Sequence, residues 1–104
     1  MGWTISHGTH NNGQISPSYR SISVLGQHLA YVLPASDWRA IEPVFGDRSG
    51  GPFRVPHNEA RRIAAVLRRA ASHRKMPADW GDLARELADS AQNAATARQS
   101  WEWR

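Results

Sequence analysis

A chain of 104 residues with 40% hydrophobic content, spread along its length, holds one domain and has too little material for a second core. It contains no cysteine, which excludes disulfides, thiolate nucleophiles and cysteine-based zinc sites. The formal net charge of +4 is unevenly divided: residues 52–75 carry seven basic side chains against one acid, Glu59, residues 76–104 sum to −2, and residues 1–51 sum to zero.

The N-terminal stretch MGWTISHG has neither a basic n-region nor an apolar h-region, and no apolar run approaches the ~18 residues of a membrane span. Trp3 and His7 fit the myristoylation pattern badly despite Gly2 and Ser6. The expectation is a cytoplasmic domain with no membrane association. The first element is a strand around WTIS, with Trp3 and Ile5 on one face. A polar loop SHGTHNNG follows, residues 6–13, in which Asn12-Gly13 suits a type I′ hairpin turn returning through Ile15.

Helical spacing begins at residues 17–18, where Ser16 or Ser18 is the expected cap, and ends before Pro34. Ile22, Leu25, Leu29, Val32 and Leu33 form its core stripe. Between residues 21 and 36 there is no Asp, Glu, Lys or Arg, and Val24, His28 and Tyr31 form a second ridge at i, i+4 and i+7. A helix apolar nearly all round is covered on more than one side. The cover is either the rest of the domain or a partner, and the second ridge makes a protein partner or homodimer the first functional expectation.

A short helix is expected over residues 37–42, opened by Asp37 as cap, steered by Trp38 and stopped by Pro43. After the glycine-rich loop GDRSGGPF, residues 46–53, the stretch FRV reads as a strand. A second long helix follows over residues 57–74, with Ala60, Ile63, Leu67, Ala70 and Ala71 facing inward. Arg61, Arg62, Arg68, Arg69 and Lys75 fall on its opposite side, a stripe able to follow a phosphate backbone, so nucleic acid is the second candidate partner. That face has no aromatic or amide side chain for reading bases, and arginines of this kind also serve solubility. A last helix, opened by Asp79-Trp80 and running to about residue 97, has Trp80, Leu83, Leu87, Ala91 and Ala94 on one face and Asp82, Glu86 and Asp89 on the other. WEWR closes the chain as a strand, and tryptophans in both terminal strands place the two ends side by side.

Asp37-Trp38 and Asp79-Trp80 are 42 residues apart, and at that offset Val24-Leu25 falls on Val66-Leu67 and Ile41 on Leu83. The chain therefore reads as a duplicated strand–helix–helix unit, in halves of about residues 1–46 and 47–97, with a closing strand at about 100–104. The expected fold is a single α+β domain over residues 1–104, a small antiparallel sheet of about three strands packed by four helices. The doubled Pro-Ala-Asp-Trp motif reads as a helix-joining turn; its functional alternative is a pair of tryptophans lining a slot between the halves.

For chemistry, the residues supply parts without an assembly. His7 and His10 have a spacing that suits a metal or small ligand, but no third donor is selected by position, so no metal and no cofactor is assigned. Asp47 and Arg48 lie in the glycine-rich loop, which lacks the lysine and glycine spacing of a P-loop. If the strands holding Trp3 and Phe53 are antiparallel neighbours, this loop and the histidine loop leave the same end of the sheet. His7, His10, Asp47 and Arg48 then form the third candidate site, for a small ligand. Ser49 with His7 or His57 and Asp47 has the residue types of a triad but no nucleophile elbow, and Asp82, Glu86 and Asp89 sit at solvated helical spacing. No catalytic residue is assigned, and the balance is against an enzyme.

In MGWTIS at the start, LPASDW and MPADW inside and WEW at the end, the chain resembles a family of small uncharacterised actinobacterial proteins, a domain of unknown function. The resemblance spans essentially the full length and implies no activity, cofactor or site residue.

Overall fold

The computed structural model describes residues 2–7, 12–46 and 51–104, with the side chains of residues 12 and 13 left aside. Eight elements follow one another: β1 (Ile5–His7), β2 (Asn12–Ile15), α1 (Tyr19–Val32), α2 (Ala35–Phe45), β3 (Phe53–Val55), α3 (His57–Ala71), α4 (Ala78–Thr96) and β4 (Trp101–Trp103). The fold is α+β, four helices on a four-stranded antiparallel sheet of order β2-β1-β4-β3. The strand beyond the expected three is β2: Asn12-Gly13 does not form a turn but starts this edge strand, with Asn12 paired to His7.

The chain ends do meet. Ile5 pairs with Trp103, Ser6 with Glu102 and His7 with Trp101, and Thr4 and Arg104 extend the ladder with two 2.8 Å backbone hydrogen bonds. Further out, Trp3 N–H donates to the Pro17 carbonyl at 2.9 Å, and Gly2 bridges Ser18. A Cβ on Gly2 would sit 2.9 Å from Ser18 Cα and closer still to the Pro17 carbonyl oxygen, so only glycine allows the two segments to approach this closely.

Period-2 alternation decides the faces of the sheet. Ile5, Trp101 and Trp103 are fully buried, and Val55 is buried beside them. Trp103 is the hub, with Phe53 stacked on it at 5.5 Å and Trp3, Phe45 and Trp101 edge-on at 5.1 to 5.9 Å. Above the sheet, α4 lies on β1 and β4 and packs along α3. That closeness follows from composition: Ala60, Ala64, Ala70 and Ala71 on α3 and Ala84, Ala88, Ala91 and Ala94 on α4 are all buried, and short side chains let helix axes come together. α1 and α2 complete the layer, crossing where a Cβ on Gly26 would meet the Phe45 carbonyl oxygen at 2.9 Å. Of the residues that lie 42 apart, Leu25 and Leu67 are both fully buried and Trp38 and Trp80 are both half-buried against the core.

The helix starts differ from expectation. Ser18 does cap α1, its Oγ accepting from Ser21 N–H at 3.0 Å. Asp37 and Asp79, however, are not caps. Pro34 and Pro77 occupy the cap positions of α2 and α4 in extended conformation, which leaves Asp37 third and Asp79 second in their helices. Proline fixes the extended entry, while the aspartates supply negative charge to the first turn. Nor does Pro43 stop α2, which continues to Phe45. Its ring removes one helical donor, but Val44 and Phe45 are buried, and that burial outweighs the local penalty. α3 ends at Ala71, short of residue 74. At its other end, α4 closes through Arg98 in the left-handed region (φ 56°), with Gln99 N–H donating to the Ala94 carbonyl at 2.9 Å and Arg98 N–H to Ala95 at 3.1 Å, a Schellman arrangement.

Candidate functional site

α1 divides its residues sharply. Ile22, Leu25, Gly26, Leu29 and Val32 face the core, while Arg20, Ser23, Gln27, Ala30 and Tyr31 are exposed. Placed at 100° per residue, these five form one stripe, and Val24 and His28 lie along its shoulder, half-buried. Of the three residues expected to contact a partner, only Tyr31 stands free, at 72% exposure; His28 rests against the Trp80 ring at 5.6 Å and 31°. Among the described residues Tyr31 is the most exposed large hydrophobic side chain, ahead of Tyr19 at 47%.

Tyr31 has a neighbour that sequence spacing does not reveal. Beyond α3, the Lys75 main-chain N–H donates to His73 Nδ1 at 3.1 Å and Met76 N–H to the His73 carbonyl at 3.0 Å, a tight turn between α3 and α4. It brings Lys75 Nζ over the Tyr31 ring, 5.8 Å from its centroid. Lys75, expected in the arginine stripe, thus belongs to the α1 surface. Ser23, Gln27 and Ala30, spaced i, i+4 and i+7, complete this face; small and uncharged, they carry no hydropathy signal.

The arginine stripe on α3 is exposed, as expected, but two of its members are engaged. Arg68 Nη1 reaches Asp89 on α4 at 2.9 Å, and Arg69 holds Asp37 on α2 through Nη2 at 3.0 Å and Nε at 3.4 Å. These exposed pairs contribute at most about 1 kcal/mol each, yet they direct positive charge toward neighbouring helices. Arg61 and Arg62 have no ion pair among the described residues.

The strand arrangement behind the third candidate site differs from expectation. His7 is a strand residue, not a loop residue: it is 8% exposed, on the helix-facing side of β1 opposite Trp101, and its Nδ1 has no hydrogen-bond partner among the described residues. β1 and β3 are not neighbours, because β4 lies between them and both run antiparallel to it. The chain leaves β1 at the Trp101 end of the sheet and enters β3 at the Trp103 end, so the two loops join opposite ends. His10, Asp47 and Arg48, and with them Ser49, lie outside the described residues. At the entry to β3, an open depression of about 540 Å³ is lined by Pro52, Phe53, Arg54, Glu102, Trp103 and Arg104, none of them in the expected set. Arg104 Nη2 pairs with Glu102 there at 3.2 Å.

The carboxylates of α4 sit on a solvated surface, Asp82 paired with Arg85 at 3.1 Å and Asp89 with Arg68. Among the described residues no cluster of three or more His, Asp or Glu side chains is arranged to hold a metal ion. No helix among them is long and apolar enough to cross a membrane.

Fold and surface together define a small α+β domain whose most distinctive exposed feature is a helix face rather than a cleft. The chain belongs to a family described as Domain of unknown function (DUF7739), whose model matches residues 8–104, from the β1–β2 connection to the end of β4. No curated protein and no solved structure matches it.

Proposed function

We propose that this domain is a non-enzymatic, cytoplasmic binding module that engages a protein through the exposed side of α1, with Tyr31 as the main contact and Val24 and His28 as the shoulder beside it. Tyr31 carries the reading. A tyrosine this exposed, on a helix segment free of charge, has the chemistry of an interface anchor: a large apolar ring, a hydrogen-bonding tip and few rotatable bonds to freeze. The Lys75 ammonium above it and the His28–Trp80 contact beside it hold the surface in shape before any partner arrives, which lowers the ordering cost of association.

Nucleic-acid binding through Arg61, Arg62, Arg68, Arg69 and Lys75 is less well supported. Arg68 and Arg69 are committed to Asp89 and Asp37, and Lys75 to Tyr31, which leaves Arg61 and Arg62.

Tyr31→Glu tests the proposal. Because Tyr31 contributes little to the core, the variant keeps its circular dichroism spectrum and melting temperature while losing its protein contact, read as a shift in sedimentation or as loss of the proteins that co-purify with the tagged chain. A variant with native fold, unchanged mass and unchanged companions refutes it.

A further inference from the structure

We draw no further inference here: the strongest candidate, the exposed side of α1 from Ser23 through Gln27 to Tyr31, belongs to the contact surface already described, and nothing in the structure shows what covers it.

Discussion

Ser90 and Trp101 give the sharpest account of how the sheet is fastened to α4. Trp101 is fully buried on the core side of β4, and its indole Nε1–H donates to Ser90 Oγ at 2.9 Å. Ser90→Ala removes the acceptor and leaves an indole N–H enclosed without a partner, which costs about 1–3 kcal/mol. Against that, alanine is the better helix former by up to about 0.7 kcal/mol. The net loss should be about 1.5 kcal/mol, and with ~4–8 °C per kcal/mol for a domain near this size, the melting temperature should fall by about 6–12 °C. Urea titration followed by far-ultraviolet circular dichroism gives the free energy; five tryptophans make fluorescence a poor reporter of one. The decisive comparison is the same substitution in a Trp101→Phe background, where there is no donor to strand. There Ser90→Ala should be neutral or slightly stabilising. Equal losses in both backgrounds would refute the reasoning, since they would locate the effect in helix α4 rather than in the hydrogen bond.

Three further outcomes follow from local geometry. Gly26→Ala should destabilise the domain by about 1 kcal/mol in chemical denaturation despite a propensity gain of similar size, because the new Cβ would press on the Phe45 carbonyl oxygen at 2.9 Å and force α1 and α2 apart. Arg98→Gly should raise stability by about 0.5–1 kcal/mol, seen as a higher melting temperature, since glycine adopts φ 56° without the steric cost that an L side chain meets there. Asp37→Asn should weaken the tie between α2 and α3 by no more than about 1 kcal/mol, and the loss should shrink in high salt; a salt-independent loss would mean that Asp37 acts through its place in the helix rather than through Arg69.

Much of the architecture was legible in the chain because burial follows periodicity. The stripe Ile22, Leu25, Leu29 and Val32, the alanine face of α3 and the pairing of terminal strands are all consequences of apolar spacing, and the structure places them so. Where local rules met tertiary ones, the tertiary ones prevailed. Pro43 stayed inside α2 because Val44 and Phe45 had core to fill, and Asp37 gave up the cap to Pro34 and turned to Arg69, a partner 32 residues away that no local pattern names. Strand order has the same character: β4 separates β1 from β3, a pairing of chain ends with the middle of the chain that no local pattern names. On the α1 surface, hydropathy spacing picked out Tyr31 but also Val24 and His28, which the fold partly covers. It missed Lys75 as a neighbour because that contact depends on where the α3–α4 turn falls in space.

The central claim is that the exposed side of α1 becomes covered, and hydroxyl-radical footprinting of Tyr31 tests it most directly. In the isolated chain at high dilution this ring, 72% exposed, should be modified readily. At high micromolar concentration or inside cells, its modification should fall severalfold while that of the α3 and β3 segments stays constant. A Tyr31 ring oxidised equally fast under all three conditions would contradict the account.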